Sequence, residues 1–521
     1  MSTEAHWLAR RASPSTPPRA HGVVRGDDSP GRSSLYEGRF GRMFRTLPPA
    51  EFSDRDLEKL AAAMVAPAER RPTPETETDD EENQGINAGY TYLAQFIDHD
   101  LTFDPMSSLQ RENDPRALTD FRTPRFDLDS LYGRGPDDQP YLYEDDGLHL
   151  KLGRPLTGSD VDRRARDLPR HQGGRRSRAR ALIGDPRNDE NVIVAQLHAV
   201  MLRFHNHVVD HLSRDGRRGS FAEAQRVVRW HYQWVVLHDF LPTIVGRDTV
   251  DSVLPHLRSG TSPYADKPDL RFFRWRHQPF MPVEFSAAAY RFGHSMVRPI
   301  YRLNTNVSRK LILTPRDSRR GLNGFREFPS HWAIDWRLFF DLDSQAPPSG
   351  IGRIQKSYKI DTSLTNPLAH LPPSTATGIR SLAERNLRRG RSMGLPSGQD
   401  IARAMAIEPI PDERLRVGKA TEKDTPSNPR LTSVSRAFAG NAPLWYYVLA
   451  EAQQQFERND TPIRLGPVGG RIVAEVVSGL LLGDRYSFLS QALGWTPELA
   501  LPDLGQFGIA DLIRLALRGD G

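Results

Sequence analysis

Apolar residues recur at intervals of three and four along several stretches of the chain, which is the spacing of one face of an α-helix. The longest stretches are residues 191–214 and 221–246, and shorter ones are residues 284–301 and 469–483. The alternation of apolar and polar residues that is typical of half-buried β-strands is scarce. The pattern therefore predicts a mainly α protein with little β structure and with long irregular loops.

The composition changes clearly at one end of the chain only, and internal repeats are not evident. Residues 1–35 are rich in Arg, Ser, Pro and Gly and lack apolar periodicity, which predicts a disordered basic N-terminal segment. Residues 36–521 are predicted to form one large domain, because a chain of 521 residues with 38% hydrophobic side chains can bury a large core.

The composition also excludes several classes of site and location. Cysteine is absent, which removes disulfides, thiolate metal sites and cysteine nucleophiles. No apolar run approaches the roughly 18 residues that a membrane span needs, and the N-terminus lacks the apolar core of a secretory signal. A cytoplasmic protein, or one that is secreted by a non-classical route, is therefore expected.

The net charge is +6, and arginine is concentrated in residues 163–180. Such a cluster can bind nucleic acid or another acidic surface. However, neither interleaved aromatic residues nor a nucleic-acid motif accompanies it. We interpret the cluster as a solvated, flexible loop and expect no nucleic-acid partner.

The segment GYTYLAQFIDHDLTFDP, residues 89–105, places His99 between two carboxylates directly after an apolar run. On a helix, residues three and four apart share a face, whereas neighbours diverge by about 100°. Gln95, Asp98 and His99 are therefore expected on one face, and Asp100 on another. Two sites would share this segment, although a histidine on such a helix is commonly an ordinary core residue.

A second polar pattern lies in FRTPRFDLDSLYG, residues 121–133. Thr123, Asp127 and Asp129 offer side-chain oxygens at spacings of two and four residues, and the carbonyl of Arg125 lies between them. Oxygen ligands at such spacing suit calcium, but the glycine and distal glutamate of an EF-hand are missing. Solvated or turn-capping acids remain the alternative interpretation of this pattern alone.

Five motifs, in the same order, resemble those of the animal-type haem peroxidases, the myeloperoxidase–cyclooxygenase superfamily. They are QFIDHDLTFDP, RTPRFDLDSLYG, GDPRNDENVIVAQLHAVMLRFHNHV, YRFGHSMVRP and RNLRRGRSMGLPSG. A further similar segment is RLGPVGGRIVAEVVSGLLLGD, so the resemblance covers roughly residues 85–490. It implies a single haem-peroxidase domain, and the lack of cysteine fits a bacterial member.

On one side of the haem, the resemblance implies three catalytic residues. His99 matches the distal histidine, which would accept a proton from peroxide and return it to the departing oxygen. Arg187 matches the arginine whose charge would stabilise that oxygen, and Gln95 matches the glutamine that binds halide and orders water. Asp98 and Glu190 match the carboxylates that form ester links to haem methyl groups in mammalian members.

On the opposite side, His294 matches the proximal ligand of the haem iron. Its second ring nitrogen needs a hydrogen-bond partner, and Asn386 matches the residue in that role. Arg291 and Arg389 match arginines near the haem propionates or the haem edge, with ordinary surface ion pairs as the alternative for both. The implied cofactor is haem b, which the two carboxylates could tether.

The resemblance also implies a calcium ion. The residues that match the family's ligands are Asp100, Thr123, Asp127, Asp129 and Arg125 through its carbonyl oxygen. Asp129 stands where many animal members have serine, so the type of oxygen changes but still suits a hard cation. Binding of Asp100 would fix the helix that carries His99, which gives the metal a structural role.

The implied activity is that of a haem peroxidase, which reduces hydrogen peroxide and oxidises a halide, thiocyanate or small organic donor via an oxo-ferryl intermediate. Asn191 stands where myeloperoxidase has the methionine that bonds to a haem vinyl group. Chloride is therefore less expected as a substrate than bromide, iodide, thiocyanate or a small aromatic reductant.

Two alternatives remain open at this point. Fatty-acid dioxygenases of the same superfamily carry a radical-forming tyrosine three residues before the proximal histidine. That position is Arg291 here, and Tyr290 is one residue away. A non-catalytic haem-binding or adhesion module is the other alternative, although the retained His99, Arg187 and Gln95 disfavour it.

Four histidines crowd the predicted helix over residues 191–214. Their spacing contains one pair four residues apart, and no HExxH pattern occurs. We expect packing roles rather than a separate metal site for His198, His205, His207 and His211.

Overall fold

The computed structural model describes residues 38–68, 73–103, 119–171, 179–214, 220–275, 278–315, 320–342, 346–376, 378–456, 461–499 and 506–518. The predicted disorder of residues 1–35 lies outside these ranges. The start of the domain at residue 36 therefore stays a prediction.

Helices dominate the described ranges, as the apolar periodicity predicts. Those of nine or more residues are α1 (Asp54–Ala63), α2 (Gly89–Leu101), α3 (Val192–Arg214), α4 (Phe221–Val235), α5 (Leu382–Ser392), α6 (Leu444–Gln453), α7 (Pro467–Gly483) and α8 (Ile509–Leu517). Shorter α-helices span Asp129–Tyr132, Leu241–Val245, Arg247–Val253, Pro255–Ser259, Val283–Ser286, Gly398–Ala404, Leu431–Val434 and Phe488–Gln491. Tighter 3₁₀ helices span Pro140–Leu142, Pro186–Asp189, Ala289–His294, Trp336–Leu338, Asn366–Ala369 and Arg436–Phe438, and Val236–Phe240 forms a π-helical turn.

The β structure of the described residues is limited to short strands. They are β1 (Gly38–Gly41), β2 (Glu82–Asn87), β3 (Thr119–Asp120), β4 (Met281–Pro282), β5 (Ile300–Tyr301), β6 (Lys310–Leu311) and β7 (Lys356–Tyr358). β1 pairs antiparallel with β3 and parallel with β4, and two further antiparallel pairs join β2 to β7 and β5 to β6. These pairs connect loops rather than form a layer, so the fold is mainly α.

The core is built around the long helix α3, most of whose residues are buried. α3 packs against α2, α4 and α8, while α6 and α7 pack against the 3₁₀ helix Ala289–His294. None of the described helices has the length and apolarity needed to cross a bilayer.

Three of the four predicted helical stretches are confirmed with small changes. The prediction over residues 469–483 corresponds to α7, which begins two residues earlier. The prediction over residues 191–214 corresponds to α3, which begins one residue later. The prediction over residues 221–246 corresponds to α4, the π-helical turn Val236–Phe240 and the helix Leu241–Val245. Gly246, with a φ of +86°, follows that helix. Glycine reaches this left-handed region without the steric cost that a Cβ atom would add.

The prediction of one continuous helix over residues 284–301 is wrong. Val283–Ser286 forms a single turn, and Ala289–His294 is a 3₁₀ helix. Between them, Ala288 leaves the helical region with φ −138° and ψ −76°, and Pro299 cannot donate a helical hydrogen bond. The apolar spacing in this segment reflects burial on nearly all sides rather than one helical face.

The interpretation of residues 163–180 as a solvated loop is also wrong for part of the segment. Arg170 is buried and forms ion pairs with Asp167 and Asp189, at 3.1 and 2.6 Å. Its guanidinium also lies 5.1 Å from the centre of the Phe328 ring. Residues 172–178 lie outside the described ranges.

Candidate active site

A cavity of about 360 Å³ lies between α2 and the 3₁₀ helix Ala289–His294. One wall carries the predicted distal residues, and the other carries the predicted proximal histidine. The predicted residues that line it are Gln95, Asp98, His99, Arg187, Glu190, Arg291, His294 and Arg389. The structure thus brings together side chains that are far apart in the sequence, from Gln95 to Arg389.

Helix α2 sits close to the chain behind it because it begins with a glycine. A Cβ atom on Gly89 would lie 2.3 Å from the Phe340 ring and 2.6 Å from the carbonyl oxygen of Phe339. The helical face prediction is confirmed: Gln95, Asp98 and His99 line the cavity. Asp100 instead accepts hydrogen bonds from Leu128 N and Ser130 Oγ, outside the cavity.

His99 is buried and is held through one ring nitrogen. Its Nδ1 lies 2.8 Å from Oδ1 of Asn188, which leaves Nε2 as the ring nitrogen available on the cavity side. Burial, reinforced by the positive charge of Arg187, lowers the pKa of His99 to about 4. His99 is therefore neutral near pH 7 and can accept a proton.

Arg187 is fixed by the residue two positions before it. Asp185 caps the 3₁₀ helix Pro186–Asp189 by accepting the backbone N–H of Arg187 at 2.8 Å, and it also binds Nε and Nη2 of the guanidinium. Nη2 donates to the carbonyl oxygen of His99 at 2.9 Å as well. Although burial alone would raise it, Arg122 and Arg187 hold the pKa of Asp185 well below its usual range.

Gln95 belongs to a short chain of polar groups at the cavity wall. Asn191 caps the start of α3 because its Oδ1 accepts the N–H groups of Ile193 and Val194, both at 3.0 Å. Its Nδ2 donates to Oε1 of Gln95 at 3.1 Å, and Nε2 of Gln95 lies 3.4 Å from Oε2 of Glu190. The amide of Gln95 is thereby oriented from both ends.

The two carboxylates of the cavity lie near the distal residues. Burial raises the pKa of Glu190 to about 7, against the opposing charges of Arg187 and Arg385. Asp98 accepts a hydrogen bond from Thr102 Oγ1 at 3.3 Å. Both carboxylates are part of the cavity lining, as the predicted tethering role requires.

His294 lies on the opposite wall and contacts the predicted residue. Its Nδ1 is 2.7 Å from Nδ2 of Asn386 on α5, so Nε2 is the nitrogen left on the cavity side. The pairing agrees with the expectation, but the amide presents its nitrogen rather than its oxygen. If Nε2 held a metal ion, the ring proton would lie on Nδ1, and the Asn386 amide would have to turn by 180° to accept it.

The rest of the wall combines cationic and apolar side chains. Arg291 donates from Nε to the carbonyl oxygen of Ser286 at 2.9 Å. Arg385, which the sequence analysis missed, also lines the cavity, and burial lowers its pKa. Apolar lining residues include Val297, Ile312, Leu313, Leu368, Leu371 and Met393. Arginines beside an apolar slot suit a flat, apolar ring system that carries carboxylates.

The predicted calcium residues form a cluster behind α2. Carboxylate oxygens of Asp100, Asp127 and Asp129 lie within 4.8 Å of one another. Thr123 Oγ1 donates to Asp127 at 2.6 Å, and the N–H of Arg125 donates to the carbonyl oxygen of Thr123 at 2.8 Å. Burial, with the charges of Asp127 and Asp129, raises the pKa of Asp100 well above its usual range.

Three further residues of the site escaped the sequence analysis or were assigned to packing. Asn188 and His198 lie behind His99, and Arg122 lies between Asp129 and Asp185. Each is next to or on a recognised motif, but their partners are distant in sequence. Only the folded backbone reveals those contacts.

The chain belongs to the animal haem peroxidase family, because the model of that family matches residues 107–492. Thyroid peroxidase of Mus musculus is 25% identical over 413 residues, which cover 75% of this chain and 40% of that protein. Chorion peroxidase of Aedes aegypti is 32% identical over 131 residues, or 24% of this chain and 15% of that protein. The chain thus spans less than half of the length of these relatives.

Solved structures share the fold. Peroxidase A of Dictyostelium discoideum superposes with a TM-score of 0.56 at 16% identity, covering 89% of this chain and 92% of its own. The fatty acid alpha-dioxygenase of Oryza sativa superposes with a TM-score of 0.51 at 13% identity, covering 93% and 79%. At these identities the likeness concerns the fold alone.

Membership of this family implies a bound haem, and the residues present fit one. Two imidazoles line one cavity from opposite walls, and each has its Nδ1 occupied by an asparagine. The hydroxyl of Tyr290, in the same lining, has no hydrogen-bond partner among the described residues.

Proposed function

We propose that this protein is a haem peroxidase, which reduces hydrogen peroxide and oxidises a halide, thiocyanate or small organic donor. The observation that carries the proposal is the pair His99 and His294, which line one cavity with their Nε2 atoms unengaged by the asparagines that hold them. One imidazole suits an iron ligand, and the other suits a base for peroxide.

His294 would bind the haem iron, and Arg291 and Arg389 would neutralise the propionates. Asp98 and Glu190 would be the residues that tether the porphyrin through esters. Bound haem supplies the redox centre that takes up electrons from the donor and passes them to peroxide. The apolar side chains of the cavity would exclude water from its faces.

His99 would accept a proton from peroxide at Nε2 and return it to the oxygen that leaves as water. Throughout, its Nδ1 would stay bound to Asn188. The guanidinium of Arg187, fixed by Asp185 and by the His99 carbonyl, would stabilise negative charge on the departing oxygen. These roles need a neutral imidazole and a permanent cation at one wall. The pKa of about 4 for His99 supports the first requirement.

Gln95 would orient water and a small anionic donor. Its Oε1 is occupied by Asn191, so the amide N–H groups are the part that can bind an anion. Because Asn191 cannot form a sulfonium bond to a vinyl group, we propose bromide, iodide, thiocyanate or an aromatic reductant rather than chloride as the donor.

We further propose that calcium binds Asp100, Thr123, Asp127, Asp129 and the carbonyl oxygen of Arg125. Three carboxylates within 4.8 Å of one another repel each other unless a cation lies between them. The metal would hold α2 from behind and so fix His99.

A second candidate function is favoured by one observation. Tyr290 is buried, lines the cavity and has no hydrogen-bond partner for its hydroxyl among the described residues. Such a tyrosine suits hydrogen abstraction from a fatty acid. Oxygen uptake with a fatty acid that is lost in Tyr290→Phe would favour the dioxygenase over the peroxidase.

The central experiment is the absorption spectrum of haem-loaded protein before and after peroxide, followed by extraction of the haem into acidic organic solvent. We expect a Soret band that changes with peroxide. Haem that extracts freely after repeated peroxide treatment would contradict the ester tethers only, whereas protein without a Soret band would contradict the whole proposal.

A further inference from the structure

A buried chain of three side chains runs from the cavity into the core behind His99. Nδ1 of His99 lies 2.8 Å from Oδ1 of Asn188, and Nδ2 of Asn188 lies 3.0 Å from Nδ1 of His198. The exposed fractions are 5% for His99 and zero for the other two. Water therefore cannot replace either bond.

The chain has a direction, because each link needs one donor and one acceptor. A primary amide has a donor end and an acceptor end, and a neutral imidazole has one ring nitrogen of each kind. With Oδ1 of Asn188 towards His99, the proton of His99 is on Nδ1 and Nε2 is a base. With the amide reversed, the proton would be on Nε2, and the base would be lost.

We infer that His198 is a positioning residue that, through Asn188, keeps the proton of His99 on Nδ1 and leaves Nε2 able to accept the proton of peroxide. The inference rests on the proposed peroxidase function for its catalytic consequence. Its structural content, the tautomer of His99, does not depend on haem.

His198 is suited to act as a constant acceptor. Burial lowers its pKa to about 3, so the ring is neutral near pH 7. It lies on α3 and packs edge-on against Phe96, with ring centres 5.9 Å apart. Among the described residues, the two histidines are the only hydrogen-bond partners of the Asn188 amide group, so they decide its orientation.

Proton transfer reinforces the same orientation. When His99 takes up a proton at Nε2, both of its ring nitrogens become donors, and Nδ1 then requires an acceptor. Only Oδ1 of Asn188 can meet that requirement. The reversed amide would set an N–H against an N–H in a buried place, which is strongly unfavourable.

The test compares variants of His198 with a matched histidine on the same helix. His198→Leu removes the acceptor, whereas His198→Gln restores one through its side-chain oxygen. His205→Gln is the control, because His205 is equally buried but binds Tyr132 and the carbonyl of Leu148 instead. Asn188→Asp supplies an oxygen to His99 whatever residue 198 is.

Each variant is characterised by two measurements. The first is ¹⁵N NMR of ring-labelled histidine in haem-free, full-length protein, which reports which nitrogen of His99 carries the proton. The second is the rate of the Soret change with peroxide in haem-loaded protein. We expect His198→Leu to move the proton to Nε2 and to lower the rate constant by about 100-fold, in the range of a positioned acid–base group.

We expect His198→Gln to recover most of the rate, His205→Gln to change neither measurement, and Asn188→Asp to make the rate insensitive to His198→Leu. Wild-type His99 with its proton on Nε2 would overturn the inference, as would an unchanged rate in His198→Leu. If His198→Leu does not fold, the tautomer of His99 in the wild-type protein still decides. A wild-type protein that ignores peroxide yet holds its proton on Nδ1 would contradict the proposed function alone.

Discussion

Arg122 donates two hydrogen bonds to the same oxygen of Asp185, from Nε at 3.0 Å and from Nη2 at 2.6 Å. Its Nε also lies 3.5 Å from Asp129 in the acidic cluster. Asp185 in turn holds the guanidinium of Arg187. A line of alternating charges therefore joins the proposed calcium site to the proposed catalytic arginine.

Replacement of Arg122 is expected to disturb both ends of that line. Arg122→Gln leaves Asp185 and Asp129 buried with one cation fewer, so we expect a loss of about 3 kcal/mol in the free energy of unfolding. Denaturant unfolding measures it. Arg226→Gln, which removes an exposed pair with Glu223, should cost less than about 1 kcal/mol. Equal effects of the two variants would show that the buried line carries no special stability.

Removal of calcium is expected to destabilise the protein and to slow its reaction with peroxide. A ligand present at about 100 times its Kd contributes about 3 kcal/mol to the folded state, and chelation should remove it. Thermal unfolding with a chelator, and with calcium added back, measures the effect.

A second acidic group offers the control for calcium. Asp79 lies in the other cluster, with Asp80 and Glu81, but accepts a hydrogen bond from Tyr358. Asp129→Asn should abolish the response to the chelator, and Asp79→Asn should preserve it. A response that survives Asp129→Asn and disappears in Asp79→Asn would place the metal in the other cluster.

Asn386 is expected to control how firmly His294 binds iron. Asn386→Leu leaves Nδ1 of His294 without a partner, and partners of this kind typically change metal affinity or activity by about 10- to 100-fold. Transfer of haem to a competing apoprotein measures the release rate. Asn366→Leu, at a residue that bonds the carbonyl of Ala66, is the control and should release haem at the wild-type rate.

Asn191 performs two tasks that one substitution can separate. Asn191→Ser can still cap α3 but cannot reach Gln95, whereas Asn191→Ala does neither. We expect both variants to raise the KM for bromide or thiocyanate, and only Asn191→Ala to lose about 1 kcal/mol of stability. Steady-state kinetics and denaturant unfolding check the two parts. An unchanged KM in both variants would mean that Gln95 needs no orientation by Asn191.

Glu451 should make stability depend on pH. It is buried on α6 and accepts the N–H groups of Val468 and Gly469 at the start of α7. Burial raises its pKa to about 7 from the ordinary value of 4.5. The folded state therefore retains a proton that the unfolded chain releases. The contribution of protonated Glu451 to the free energy of unfolding is fully present below pH 4.5 and is lost as the pH rises through 7.

Glu451→Gln should remove that part of the pH dependence. We expect the fall in unfolding free energy between pH 5 and pH 8 to be smaller than in the wild type by about 3 kcal/mol. Urea unfolding at several pH values measures it. Identical pH profiles for the two proteins would mean that Glu451 ionises normally.

Local periodicity is enough to predict three of the four helical stretches and the separate faces of α2. Asp98 and Asp100 point to different surroundings because neighbours on a helix diverge, which needs no tertiary information. Thr123, Asp127 and Asp129 likewise lie close together in the folded protein, because one short loop carries all three.

The missed features depend on contacts between distant residues. The segment around Ala288 has helical spacing, but packing on nearly all sides overrides the local preference. The sequence predicts a surface charge at Arg170, whereas the structure pairs it with Asp189. It predicts a core residue at His198, whereas the structure shows a contact with Asn188. Such pairings are set by the three-dimensional path of the chain rather than by spacing.

The π-helical turn Val236–Phe240 inserts one extra residue into an otherwise continuous helical run. Asp239, within it, accepts bonds from the hydroxyl of Tyr90 at 2.6 Å and the N–H of Ile509 at 2.7 Å. Deleting one residue there would rotate all that follows by about 100°. Neither insertion nor deletion of a residue in this run would therefore be tolerated, because Asp239 binds both the start of α2 and the start of α8.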